Sequence, residues 1–252
     1  MPVNSSPIAL VTGASRGIGR ATALLLAKRG YRICINYCQD HSAARSLASE
    51  IETLGAESLL ACANIADESA VCEMFDLLDQ RWGRIDALVN NAGILHTQST
   101  IEGLTAERIN LILQTNVTGT FLCCREAVKR MARRHGGSGG AIVNVSSAAA
   151  RSGSPFEYLD YAASKGAMDT LTKGLSIEVA AEGIRVNGVR PGFIYTDMHA
   201  DGGEPDRVDR IKSSLPMQRG GRPEEIAAAI VWLLSEEASY STGSVLDLAG
   251  GK

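Results

Sequence analysis

Gly13, Gly17 and Gly19 stand within seven residues, directly behind the apolar run Ile8, Ala9, Leu10 and Val11, and no other feature narrows the fold as much. An apolar run closed by glycines and followed by Ile18, Ala21, Leu24, Leu25, Leu26 and Ala27 reads as a buried strand, a tight loop and a helix packed closely on a sheet. A Cβ in such a loop would block both the turn and the approach of backbone N–H groups to an anion resting on the positive end of the helix. The spacing is G-x-x-x-G-x-G rather than G-x-G-x-x-G. With a strand before it and a helix after it, the loop reads as a phosphate cradle for a nucleotide, a plain connecting turn being the alternative.

Short apolar runs alternate with longer amphipathic segments along the rest of the chain, which is the pattern of an α/β protein whose parallel sheet is covered by helices on both faces. Seven strands are expected near 8–12, 31–36, 58–63, 87–90, 141–146, 185–189 and 244–248. The 252 residues suit a single domain, 1–252. Gly136, Gly137, Ser138, Gly139 and Gly140 read as a helix stop and turn rather than a linker.

A net charge of −3 offers no basic surface for nucleic acid, and no apolar run reaches the length of a membrane span. The first six residues lack the charged and apolar regions of an export signal, so a cytoplasmic protein is expected. Cys34, Cys38, Cys62, Cys72, Cys123 and Cys124 contain no C-x-x-C and fall in expected strands and helices, so buried free thiols are expected. His41, His96, His135 and His199 are scattered, and no metal site is expected.

Tyr161-Ala162-Ala163-Ser164-Lys165 places a phenol and an ammonium on one helix face. A neighbouring cation favours the phenolate and pulls the hydroxyl down from its ordinary pKa of about 10, making an acid/base device. The motifs before it also end expected strands: Gly13 to Gly19 follow the first, Asn90 to Gly93 the fourth, Ser147 the fifth and Pro191 to Thr196 the sixth. Ligands of open α/β sheets bind in the crevice at that edge.

Taken in order, Thr12-Gly13-Ala14-Ser15-Arg16-Gly17-Ile18-Gly19, Asn90-Asn91-Ala92-Gly93, Asn116, Ser147 and Tyr161-x-x-x-Lys165 resemble the short-chain dehydrogenase/reductase family over nearly the whole chain. The chain looks closest to bacterial members of the sugar (glucose) dehydrogenase-like and 3-oxoacyl-carrier-protein reductase-like kind. The resemblance implies a Rossmann-type, doubly wound, seven-stranded parallel sheet and hydride transfer between NAD(P) and a carbonyl or secondary alcohol. Tyr161 would then move the proton, and Lys165 would lower its pKa and bind the nicotinamide ribose. Ser147 would hold the substrate oxygen, with Ser146 as the alternative hydroxyl. Asn116, in a long helix, would bind a water feeding Lys165 or else be satisfied by backbone. For the cofactor, the resemblance points to Gly13, Ser15, Arg16, Gly17, Ile18 and Gly19 in the loop, Asn36 after the second strand, and Asn64 and Ile65 beside the adenine. It adds Asn90, Ala92 and Gly93, then Pro191, Gly192, Ile194 and Thr196.

The second strand ends in Asn36 and Tyr37 without a carboxylate, and Arg16 offers a cation for a 2′-phosphate, so NADP is favoured over NAD. Asp40 stands at the spacing for NAD but could equally cap the following helix. A substrate lid is expected at about 195–220. His96, Phe156, Tyr158, His199 and Met217 are candidate pocket residues for a small polyol, sugar or ketone. For a carrier-protein thioester, the pairs Lys129-Arg130 and Arg133-Arg134 would supply docking charge or merely a solvated face. A non-catalytic NADP-binding sensor is the rival class. The resemblance of residues 240–247 to the family's last strand implies a homotetramer.

Overall fold

The computed structural model describes residues 6–252; the first five, part of the segment expected to lack an export signal, lie outside it. Seven strands form one parallel sheet: β1 (Ile8–Val11), β2 (Arg32–Tyr37), β3 (Ser58–Cys62), β4 (Ala87–Asn90), β5 (Gly140–Val145), β6 (Ile184–Pro191) and β7 (Val245–Leu248). Their order is β3-β2-β1-β4-β5-β6-β7, so the sequence order reverses between β1 and β4. That reversal opens a crevice at the carboxyl edge. The expected strands all appear, shifted by at most two residues at either end.

The alternation of β1 shows how the sequence builds two layers. Ala9 and Val11 pack with Leu26, Leu47 and Ile230, whereas Ile8 and Leu10 pack with Phe75, Leu78, Ala127 and Met131. One face of the sheet therefore carries α1 (Gly17–Lys28), α2 (His41–Thr53) and α10 (Pro223–Leu234). The other carries α3 (Glu68–Trp82), α5 (Gly119–Met131) and the 21-residue α7 (Leu159–Val179). α4 (Ala106–Leu113) runs into α5 through a π-helical turn at Gln114–Thr118, so the long helix expected around Asn116 is interrupted there.

Gly136 is left-handed (φ +86°) and closes the turn after α5, while Gly139 comes so near the Gly183 carbonyl that a Cβ would lie 2.4 Å from its oxygen. The glycine stretch is thus a stop, as expected. Two short helices, α8 (Met198–Asp201) and α9 (Arg207–Ile211), fold over the crevice from the segment expected as a lid; a third, α6 (Ala149–Ser152), follows β5. Cys38 and Cys62 are exposed, against the expectation of burial, because they stand at and just beyond strand ends. No helix among the described residues is long and apolar enough to cross a membrane.

Candidate active site

The glycine loop is fixed from three sides. Gly13 has φ +60°, and a Cβ there would lie 2.9 Å from the Cα of Ala92. Thr12, at the end of β1, accepts through Oγ1 from the backbone N–H groups of Asn91 and Ala92, each at 3.0 Å. Asn91 returns its side-chain amide to the carbonyls of Thr12 and Gly13, also at 3.0 Å. These contacts lock the turns after β1 and β4 together. α1 begins at Gly17 with neither a side-chain cap nor an acidic residue in its first turn, so its amide groups and positive dipole end suit an anion. Thr196, in the loop after β6, packs against Gly17. The glycines, the open helix end and this approach fit a dinucleotide pyrophosphate.

Several expected cofactor contacts have other work. Asn36 is buried; its Oδ1 accepts from Gly13 N–H at 3.2 Å, and its Nδ2 donates to the carbonyls of Ala61 and Ala63 at 3.2 and 3.0 Å. It ties the loop to β2 and β3 and has no side-chain group left for a ribose. Asn90 is likewise buried, donating to Asn144 Oδ1 at 2.9 Å and Cys124 Sγ at 3.2 Å, because its side chain points into the sheet's α5 face. Ile65 is buried with its carbonyl and side chain against Gly119, while Asn64 is exposed and accepts from Ala66 N–H at 3.1 Å. Asp40 caps α2, accepting from Ala43 N–H at 2.8 Å, so the carboxylate at the NAD spacing is used by the fold. Arg16 is exposed and pairs with Asp201 of α8.

Tyr161, Lys165, Ser146 and Ser147 line one cavity of about 450 Å³, which also touches Ile18, Asn91 and Thr196 of the cofactor side. The first turn of α7 is anchored by Asp160, which accepts from Tyr161 N–H at 2.9 Å and from Arg108 Nε at 2.6 Å. Lys165 donates from Nζ to the Val145 carbonyl at 2.8 Å and lies 5.6 Å from the centre of the Tyr161 ring. Ser146 donates its hydroxyl to the Lys165 carbonyl at 3.0 Å, which leaves Ser147 as the hydroxyl beside the phenol.

The electrostatics correct one expectation. Burial pushes the Tyr161 phenol up to about 12, with the hydrogen bond to Ser147 opposing the shift; it does not fall toward neutrality. Burial also pulls Lys165 down to about 8, with Asp169 opposing. Desolvation by the surrounding protein outweighs the help of the Ser147 hydroxyl at the phenol.

Asn116, in the π turn, accepts through Oδ1 from Ile94 N–H at 2.8 Å and donates through Nδ2 to the Ile94 carbonyl at 2.9 Å and Ser164 Oγ at 3.0 Å. Its amide is engaged by protein rather than held open for a water. It instead braces the turn that carries Gly93, where a Cβ would meet both Asn116 and Lys165 at 3.3 and 3.4 Å.

Of the candidate pocket residues, Tyr158 and His199 line the cavity; His96, Phe156 and Met217 do not. Arg207 of α9 was not legible as a site residue. It is buried at 5% exposure between the rings of Tyr158 and Phe193, 4.8 and 5.4 Å from their centres, and pairs with Glu157. An arginine in a loop-rich polar segment gives no sequence signal of burial.

A family profile described as enoyl-(acyl carrier protein) reductase matches residues 13–252. The chain is 68% identical to an uncharacterized oxidoreductase, YgfF, of Escherichia coli, over 97% of this chain and 99% of that one. It is 37% identical to a 3-oxoacyl-[acyl-carrier-protein] reductase of Synechocystis, over 100% and 98%. A short-chain dehydrogenase from Burkholderia cenocepacia, solved in complex with NADP, superposes with a TM-score of 0.88 at 32% identity, covering 97% of each chain. The chain belongs to the short-chain dehydrogenase/reductase family and is an NAD(P)-dependent oxidoreductase.

Proposed function

We propose that Tyr161 is the general acid/base for hydride transfer between NAD(P) and a small carbonyl or secondary alcohol. The observation that carries this reading is the shared cavity in which Tyr161, Lys165 and Ser147 meet the glycine-loop side. The bound dinucleotide supplies or accepts the hydride. Ser147 holds the substrate oxygen, and Tyr161 gives that oxygen a proton during reduction or removes one during oxidation. Lys165, charged, stabilises the phenolate that results and binds the nicotinamide ribose. Gly13, Ser15, Gly17, Ile18 and Gly19 hold the pyrophosphate, Asn64 and Ile65 frame the adenine through backbone, and Ala92 and Gly93 floor the site. Pro191, Gly192, Ile194 and Thr196 hold the nicotinamide end.

NADP is the preferred cofactor. No carboxylate closes the end of β2, Asp40 is committed to a helix cap, and Arg16 stands on the glycine loop. The NADP-bound relative is in keeping with this. A small ketone, polyol or sugar suits the cavity better than a carrier-protein thioester, because three of the four would-be docking cations are matched internally. Lys129 and Arg130 pair with Glu126, Asp76 and Asp79, and Arg134 pairs with Glu182.

The assembly is a homotetramer in the cytoplasm. β7 is an edge strand with one neighbour, and Phe121 and Ile177 leave apolar side chains 50% and 69% exposed on α5 and α7. The deciding experiment follows nicotinamide absorbance with NAD and NADP, in both directions, over sugars, ketones and acyl thioesters. Turnover that Tyr161→Phe abolishes while cofactor binding persists supports the reading; absence of turnover on every substrate makes the protein a dinucleotide-binding sensor.

A further inference from the structure

Tyr161, Lys165 and Asp169 are spaced four residues apart on α7 and share one face. The first two enter the proposed chemistry; the third has no assigned part. Lys165 is almost completely buried, so the groups that face it decide whether it stays charged. Its ammonium meets the Val145 carbonyl at the end of β5; the neutral hydroxyl of Ser146 is turned to the Lys165 backbone carbonyl and that of Ser147 lines the same cavity, while the neutral amide of Asn116 and the uncharged Gly93 stand on the other side. On its own helix are Tyr161 and Asp169; Asp160, at the helix start, is matched by Arg108. Asp169 is the one carboxylate whose field acts on Lys165.

Asp169 is only half satisfied. Its Oδ2 accepts from Arg190 Nε at 2.9 Å, while its Oδ1 is buried with no hydrogen-bond partner. Lys173, one turn further along, is exposed. Arg190 is itself shared, donating from Nη1 to Asp247 Oδ1 at 3.3 Å, and Asp247 Oδ2 pairs with Arg151. Charges of alternating sign therefore run from behind Lys165, through β6 and β7, to α6. Arg151 and Asp247 emerge in the same cavity as Tyr161. An orphaned buried carboxylate oxygen is costly to keep, and it leaves the charge of Asp169 only partly matched by Arg190.

We propose that Asp169 is a positioning residue for the reaction: its carboxylate is the counter-charge that keeps Lys165 an ammonium beneath Tyr161, and the Arg190–Asp247–Arg151 chain sets how much of that charge Lys165 feels. The inference rests on the roles of Tyr161 and Lys165 given above. It makes signed demands. Asp169→Asn removes the counter-charge, so Lys165 loses its proton at lower pH. Asp247→Asn leaves Arg190 to Asp169 alone, weakens the field and moves Lys165 the same way by less. Arg151→Gln frees Asp247 to draw Arg190 away, which strengthens the field and moves Lys165 upward.

The test reads Lys165 directly, by titrating its signal in protein labelled with ¹³C at lysine Cε and assigned by its loss in Lys165→Met. The pH profile of kcat for reduction is recorded in parallel. Asp169→Asn should lower both midpoints by about one pH unit, the size of one nearby charge at partial screening. Asp169→Glu should restore most of the shift. A folded Asp169→Asn with an unmoved titration overturns the proposal, as does a common direction of shift in all three variants. Should the enzyme turn over no substrate at all, the role of Tyr161 falls, yet the titration still decides the role of Asp169.

Discussion

Lys165 Nζ and the Val145 carbonyl oxygen are 2.8 Å apart, and this bond between α7 and the end of β5 fixes the ammonium beneath the Tyr161 ring. Function has placed a charge where stability would not. A lysine so deeply buried is held by a single backbone acceptor, in a site that must also receive a cofactor and a substrate.

Stability should therefore rise when that charge is lost. Lys165 titrates near 8 when folded against 10.5 ordinarily, so between those values the unfolded chain holds more protons and stability climbs with pH. The raised Tyr161 acts in the opposite sense above about 10, so the climb is visible between roughly 8 and 10. The fall from 10.5 to about 8 amounts to roughly 3 kcal/mol, reduced to about 1–2 kcal/mol once the Val145 bond is lost. Lys165→Met should raise the melting temperature at neutral pH and flatten the climb, while turnover falls a hundredfold or more. Thermal unfolding across pH checks this; a lower melting temperature for the variant at neutral pH would refute it.

Arg16 and Asp201 make a second testable pair. Both are about half exposed, so their attraction is weak and screened, but it holds the cation of the glycine loop against α8. A 2′-phosphate must compete with Asp201 for that guanidinium. Asp201→Asn should tighten NADP several-fold at low salt and leave NAD unchanged, with the gain fading as salt rises. Isothermal titration with both cofactors distinguishes this from a general change in the crevice, which would move both affinities.

The loop itself depends on Asn36. Its amide meets one donor in the glycine loop and two acceptors at the end of β3, so Asn36→Ala takes a partner from Gly13 N–H and from the carbonyls of Ala61 and Ala63 in the interior. The expected cost is about 2–3 kcal/mol of stability, and cofactor affinity should fall at least tenfold because the loop loses its fixed shape. Denaturant unfolding and cofactor titration report the two effects separately. Retained affinity would mean that Thr12 and Asn91 hold the loop without it.

These cases also show what a sequence can disclose. The sheet was legible because each strand is a short apolar run between glycine and polar punctuation, and because Tyr161 and Lys165 lie one helical turn apart. Those signals are local. Asn36 and Asn90 look like cofactor contacts because polar residues close their strands, but their true partners lie 23 to 54 positions away, and only the packed sheet brings them together. The π turn at Asn116 has no glycine or proline to announce it. The high pKa of Tyr161 is equally hidden, since burial is a property of the assembled crevice and not of the helix that carries the residue.

Arg207 is the clearest such case and yields the last prediction. It reaches from α9 between the faces of Tyr158 and Phe193, and its guanidinium pairs with Glu157 beside the cavity. Removing only the Glu157 carboxylate leaves the buried cation with the longer 3.7 Å pair to Glu204 alone, whereas replacing the arginine by an apolar chain of similar length removes the charge and keeps the stacking volume. Glu157→Gln should thus destabilise the lid more than Arg207→Met does, by roughly 1–2 kcal/mol, an ordering opposite to one in which side-chain size governs. In the same variant the substrate KM should rise more than kcat falls, since a loosened α9 weakens binding at the cavity before it alters the chemistry around Tyr161. Hydrogen exchange across 198–211 measures the lid directly. Faster exchange in Glu157→Gln than in Arg207→Met is the expected result, and the reverse order would show that the aromatic stack, rather than the charge pair, holds α9 in place.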